Sequence, residues 1–187
     1  MIRTPRLDLI PGTGFHLAAE LDGPEALAVA IGRRVPGEWP PELYGRENVE
    51  FSLVTVQHTQ PEDAGWLFYY LVLRADDDGL ATVIGVGGYK GPPEEGEVEV
   101  GYSVLDAYRR RGFASEAVEG FARHAFADPR VQRLTAETYP ELTPSIGVLE
   151  KCGFRLLGAG SEEGVIRYGV NRVEWSRRLF ALTPEAS

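Results

Sequence analysis

Three consecutive arginines, Arg109-Arg110-Arg111, run into Gly112 and then Phe113-Ala114. Guanidinium groups beside a glycine at the start of a helix suit an anion. The first N–H groups of a helix have no intrahelical acceptor and point outward, and the helix dipole adds positive potential there. Gly112 lets a phosphate approach the backbone, and Ala114 keeps the first turn unobstructed. The arginines supply the charge that a diphosphate requires. The same run could also be a solvated basic helix start that offsets an acidic surface, so the ligand must be argued from the rest of the chain.

Such a loop works only between a strand and a helix, and the flanking residues predict both. Residues 98–104 read as a strand. Val118, Phe121, Ala122, Ala125 and Phe126 keep the spacing of an amphipathic helix. Upstream, Leu7 and Leu9 alternate with charged neighbours as in a strand. Residues 15–33 predict one or two short helices broken at Gly23-Pro24, and 42–58 predict another. The apolar run 66–73 suits a strand covered on both faces. Residues 80–89 form the next strand, and loops at 76–79 and 91–93 join it to its neighbours as antiparallel partners. Downstream come a strand at 131–138, a helix capped by Thr143 with Pro144 first and stopped by Gly153, strands at 154–157 and 165–170, and a terminal helix over 171–179. The sum is an α/β (α+β) layer architecture, a mixed, mostly antiparallel sheet of about seven strands flanked by helices. No repeat or linker divides it, so residues 1–187 are expected to form a single domain.

The 187 residues are 43% hydrophobic and 25% charged, a balance that favours a globular chain over a disordered one. No apolar stretch is long enough to span a bilayer, and residues 1–10 lack a signal-peptide core, which points to the cytoplasm. A net charge of -9 argues against nucleic acid or anionic membrane as partners and favours cations, amines included. The lone Cys152 excludes an internal disulfide. His16, His58 and His124 have no metal-ligand spacing, so no metal is expected.

Arg109-x-x-Gly112-x-Ala114 resembles the pyrophosphate loop of the GNAT acetyltransferases. Glu99-Val100-Gly101-Tyr102-Ser103-Val104 looks like the strand leading into it. Ser145-x-x-Val148-Leu149-Glu150-Lys151-Cys152-Gly153-Phe154 is similar to a later motif of the same family, and Arg3-Thr4-Pro5-Arg6-Leu7-x-Leu9 resembles the start of its branch of ribosomal-protein N-terminal acetyltransferases. This resemblance implies the GNAT fold and acetyl-CoA as co-substrate. Backbone N–H groups of Arg111, Gly112, Phe113 and Ala114, with Arg109 and Ser115 beside them, would hold the pyrophosphate. The pantetheine would lie along the strand edge at Tyr102 and Val104, and an N–H near Val104 would polarise the thioester carbonyl.

Two positions depart from the family. Leu142 stands where many members have Asn, and Leu149 where many have a tyrosine acid. The resemblance leaves Ser145 as the group that would protonate the leaving thiolate, with Tyr139 in reserve. Glu99 matches a glutamate that receives the amine proton, and Glu97 lies two residues earlier on the same strand face. Glu38 and Trp39, on a stiff Pro-rich loop, could grip an ammonium group, and Tyr89, with Lys90-Gly91-Pro92-Pro93 after it, could line the same cleft. The expected activity is transfer of an acetyl group to a primary amine, a protein N-terminus or a small molecule. The alternatives are a non-catalytic acyl-CoA sensor and a module for another diphosphate. A homodimer through the C-terminal strand stays open.

Overall fold

Apolar alternation builds the sheet. Leu7 and Leu9 are fully buried on one side of a short strand, and Tyr70, Leu71 and Val72 are buried on both sides of its neighbour. The computed structural model describes residues 1–182. Its strands are β1 (Ile2–Arg3), β2 (Leu7–Pro11), β3 (Phe68–Leu73), β4 (Thr82–Tyr89), β5 (Glu97–Val104), β6 (Arg133–Thr138), β7 (Arg155–Ala159) and β8 (Ile166–Asn171). They form one sheet in the order β1-β2-β3-β4-β5-β6-β8-β7. Every neighbouring pair is antiparallel except β5 and β6, which run parallel. The sheet has eight strands where the sequence predicted about seven. The extra one is β1, whose two residues are too short to show a period.

The helices are α1 (Gly14–Leu21), α2 (Pro24–Ile31), α3 (Arg46–His58), α4 (Phe113–Ala127), α5 (Thr143–Lys151) and α6 (Arg172–Leu182). A parallel pair needs a crossover connection, and α4 supplies it between β5 and β6. Its inner face, with Phe113, Ala117, Val118, Phe121, Ala122 and Ala125, is buried. Gly120 lets it lie close over the N-terminal strands, because a Cβ there would come within 2.8 Å of Thr4 and 3.2 Å of Leu9.

Among the boundaries that differ from the sequence reading, three have a plain local reason. Residues 42–45 are not helical, since Leu43 adopts a left-handed backbone (φ 62°) and α3 starts only after Gly45. Trp66 ends a 3₁₀ turn, so β3 begins at Phe68. Leu142, not Thr143, is the N-cap of α5 and makes no side-chain cap, so that Thr143 and Pro144 both lie inside the first turn. At the other end Gly153 (φ 87°) stops α5 as expected. Cys152, fully buried, donates its thiol to the Ser115 carbonyl at 3.5 Å, which ties the end of α5 to the start of α4.

Candidate active site

Strands β5 and β6 pair over only three rungs, Glu97 with Arg133, Val98 with Leu134 and Glu99 with Thr135, and then separate. On its other side β5 stays paired to β4 up to Val104. The Lys90 N–H donates to the Glu99 carbonyl at 3.0 Å, and the Leu105 N–H to the Ile84 carbonyl at 2.9 Å. These bonds turn the backbone of the odd-numbered residues toward β4. By the alternation of a strand, Val100, Tyr102 and Val104 turn their N–H and C=O groups toward the gap. Among the described residues no strand pairs with that edge beyond Glu99. The splay is a wedge with polar backbone on one wall, and Glu99 sits at its vertex.

The gap is bridged at one point. The Tyr102 hydroxyl lies 3.2 Å from both Oγ and the carbonyl oxygen of Ser145, in the first turn of α5. Burial pushes the Tyr102 phenol up to about 12, and the Ser145 hydrogen bond works against that rise.

Beyond Val104 the chain makes a short 3₁₀ turn, passes Arg110 in a left-handed conformation (φ 60°) and reaches Gly112 (φ 83°), the N-cap of α4. None of the N–H groups of Arg111, Gly112, Phe113 and Ala114 donates to a protein acceptor among the described residues. The arginines divide their work. Arg109 folds back, its Nε donating to the Val104 carbonyl at 3.1 Å and its Nη2 to Glu42 at 3.0 Å. Arg111 lies over the rings of Tyr108 and Phe113 and pairs with Asp77 at 3.3 Å. Arg110 stays exposed. A further cation comes from the N-terminus: Arg6 lies over the Phe113 ring at 4.4 Å and donates to the Arg111 carbonyl at 3.1 Å. The sequence reading missed it, because it lies more than a hundred residues from the loop.

Two clefts flank the vertex. One, of about 570 Å³, is carboxylate-rich and includes Lys90, Glu94, Glu95, Glu97, Glu99 and Arg167. The other, of about 510 Å³, is mainly apolar and runs under α3, with Tyr44, Phe51, Phe68, Gly101, Tyr102 and Ser103 on its walls. Lys90 lines both. Glu99 forms an ion pair with the Lys90 ammonium. Glu97 is held between Arg133 at 2.6 Å and Arg167 at 3.0 Å. Each carboxylate therefore answers first to a cation.

A model of the acetyltransferase (GNAT) domain matches residues 21–155, a stretch containing the splay, the Gly112 loop and α5. The chain belongs to the GNAT acetyltransferase family. It is 27% identical over 129 residues to the uncharacterized N-acetyltransferase YjdG of Bacillus subtilis, an alignment covering 67% of this chain and 72% of YjdG. Among solved structures its fold is similar to that of RimL, a ribosomal L7/L12 α-N-protein acetyltransferase determined with coenzyme A. The TM-score is 0.60 at 16% identity, covering 90% of this chain and 95% of RimL. It is also similar to MccE, a microcin C7 self-immunity acetyltransferase determined with acetyl-CoA and AMP, with a TM-score of 0.58 at 14% identity, covering 89% of this chain and 93% of MccE.

Within this GNAT fold the sequence-derived residues separate into two groups. Glu97, Glu99, Tyr102, Val104, Arg109, Arg111, Gly112, Phe113, Ala114 and Ser145 all lie along the splay or at its two ends. Ser115 belongs to the same turn, but it is buried and its carbonyl is taken by Cys152. Two substrate candidates, Glu38 and Trp39, stand apart. Trp39 is buried and donates its indole N–H to Glu20 at 2.8 Å, so it serves the packing of α1 and not a cleft wall. Glu38, next to it, is exposed and lines neither cleft. Tyr89 is among the residues lining the apolar cleft, although its side chain is buried and its hydroxyl donates to the Phe121 carbonyl at 2.6 Å. Two residues that wall the apolar cleft, Tyr44 and Phe51, were not singled out as a cleft wall. The one legible signal was that Phe51 interrupts the polar side of α3.

Proposed function

We propose that this chain transfers an acetyl group from acetyl-CoA to a primary amine, on a protein N-terminus or a small molecule, by direct attack in a ternary complex. One observation carries the reading. An unpaired strand edge, Val104 to Val100, leads from the open helix start at Gly112 to a carboxylate, Glu99, at the vertex of the splay. That arrangement fits a ligand with a diphosphate at one end and an extended amide-bearing arm. RimL and MccE were solved with such a ligand. No described helix is long and apolar enough to cross a membrane, and the cytoplasm is the compartment we propose.

The fit is tested by Gly112. Its left-handed φ and the absence of crowding around it, the nearest atom to an added Cβ being the Arg6 guanidinium at 3.5 Å, leave room for a phosphate against the N–H groups of Arg111 to Ala114. These donors and the dipole of α4 would hold the diphosphate. Arg109 works indirectly, by fastening the Val104 carbonyl and the 42–45 segment. The arm would bond to Tyr102 and Val104 as an added strand, and their N–H groups would stabilise the oxyanion of the tetrahedral intermediate.

In the transfer step the amine nitrogen bonds to the thioester carbonyl carbon to give the tetrahedral intermediate, whose collapse breaks the C–S bond. Glu99 receives a proton from the nitrogen, directly or through water. Ser145 relays a proton to the leaving thiolate, taking one from solvent as it gives its own. Cys152 has no part in it. Burial pushes its thiol up to about 12, and a neutral buried thiol is a poor nucleophile. The apolar cleft under α3 would take the body of the acceptor.

A non-catalytic acyl-CoA sensor is the second reading, favoured by Leu149, which is fully buried and offers no acid. Isothermal titration with acetyl-CoA, paired with a thiol-release assay over a panel of amines, decides. Binding that is lost in the Arg111→Glu, Gly112→Asp double variant, with turnover of at least one amine, supports the transferase. Binding without turnover supports the sensor. No binding by the wild-type protein rejects both.

A further inference from the structure

Of the 19 lysines and arginines in this chain, only Lys90 and Lys151 are lysines. An arginine stays protonated in water and does not act as an acyl acceptor, whereas a lysine amine can lose its proton and attack. The chain therefore holds two side-chain amines able to take an acetyl group, and their settings differ. Lys151 stands in the last turn of α5, on the surface. Lys90 follows the last residue of β4, directly across from Glu99. Its N–H bonds to the Glu99 carbonyl, and its ammonium pairs with the Glu99 carboxylate. The Glu99 side chain is 18% exposed and that of Lys90 63%, so the amine has room to move while its partner is held. Lys90 also lines the cleft that contains Gly101, Tyr102 and Ser103. An amine of the chain itself thus stands at the splay vertex, against the carboxylate that an incoming amine would need.

We propose that Lys90 is an acetyl acceptor in cis, a self-modification site built into the reaction centre. The inference rests on the acetyl-transfer reading above. The Lys90 ammonium passes one proton to Glu99, which releases it to solvent. Nζ then bonds to the thioester carbonyl carbon, the C–S bond breaks, and the second proton lost by nitrogen balances the one taken up by the thiolate. The products are N-acetyl-Lys90 and free CoA thiol. The resulting amide is neutral, so it no longer pairs with Glu99, and the carboxylate is left open to an external ammonium. Self-acetylation would in this way change the affinity of the site for its acceptor.

The test incubates the full-length protein with acetyl-CoA alone and follows each lysine by peptide mass spectrometry. The expected result is one acetyl group on Lys90, formed at a rate independent of protein concentration and about 100-fold faster than on Lys151. An intramolecular advantage of that size is ordinary when both reactants are held by one protein. The rate falls in Glu99→Gln and in the Arg111→Glu, Gly112→Asp variant, while circular dichroism shows both to be folded. Lys90→Arg keeps a cation opposite Glu99 and takes up no acetyl group at that position. Acetylation of both lysines at equal rates, or at rates that rise with protein concentration, overturns the proposal. Turnover of external amines with Lys90 unmodified overturns it too, and leaves the transferase reading intact. Absence of acetyl-CoA binding removes the transferase reading and this inference together.

Discussion

The Tyr102 hydroxyl meets Ser145 at 3.2 Å across the gap between β5 and the first turn of α5, and this contact sets two substitutions apart. Ser145→Ala removes the proposed proton donor and is expected to lower kcat by about 100-fold with little change in KM, the scale of a lost general acid. Tyr102→Phe leaves the serine hydroxyl in place. It should cost only about 1 kcal/mol of stability, one hydrogen bond, and a few-fold in kcat. Steady-state thiol release and thermal unfolding on both variants check this. Equal kinetic effects would move the proton donor from Ser145 to Tyr102.

Arg6 and Glu116 form a second pair with functional weight. Glu116 lies in the first turn of α4, where a bare carboxylate would repel a diphosphate. It accepts from Thr4 Oγ1 at 2.6 Å, from the Arg6 N–H at 2.6 Å and from Arg6 Nε at 2.7 Å. Burial opposes ionisation of Glu116, but these bonds prevail and hold the carboxyl below the usual range. Arg6→Met is expected to cost about 1–2 kcal/mol of stability and to weaken acetyl-CoA binding by unmasking the charge. Glu116→Gln added to Arg6→Met should recover affinity without recovering stability. Titration calorimetry and denaturant unfolding on the single and double variants read the two effects separately.

Phe51 lines the apolar cleft yet is 73% exposed. Phe51→Ala should therefore change stability by less than about 0.5 kcal/mol. It should raise KM several-fold for amines with an apolar body and leave KM for acetyl-CoA unchanged. The comparison needs one apolar and one polar amine of similar size. An equal loss for both would show that the acceptor body lies elsewhere.

Glu20 gives a pH signature. Its carboxyl is buried and accepts from Trp39, Tyr44 and Tyr70. Burial pushes it above its ordinary value of 4.5, against the pull of those three donors. The folded chain thus holds this proton to higher pH than the unfolded chain does. The stabilisation is complete below 4.5 and is lost as pH rises through the folded-state value. A Tm profile across that window should fall with pH by this contribution, and Glu20→Gln should flatten that part of the profile.

Much of the site was legible because it depends on short-range periods. The resemblance to the family named Tyr102 and Val104, and the pairing of β5 with β4 turns their backbone to the open edge, while the apolar spacing of α4 marked the helix that starts after Gly112. What stayed hidden depends on register between distant segments. That Lys90 faces Glu99 follows from the β4–β5 pairing, and that Glu97 is held by two arginines follows from its position beside β6 and β8. Trp39 shows the limit of composition. An aromatic beside an acid on a Pro-rich loop reads as a cation grip, but its indole N–H found a buried carboxylate 19 residues upstream, and satisfying that carboxylate took the side chain inside.

The three rungs between β5 and β6 also bear on how the molecule comes apart. Strands β1–β5 and strands β6–β8 are laced tightly within themselves, but little backbone hydrogen bonding crosses from one group to the other. Amide exchange should resolve them as two cooperative units, with protection dropping sharply past Glu99 on β5. An extended ligand laid into the wedge adds rungs to one wall and apolar contact to the other, and so makes the two units melt as one. The sharpness of the thermal transition, more than its midpoint, would then report how much of the protein carries its co-substrate.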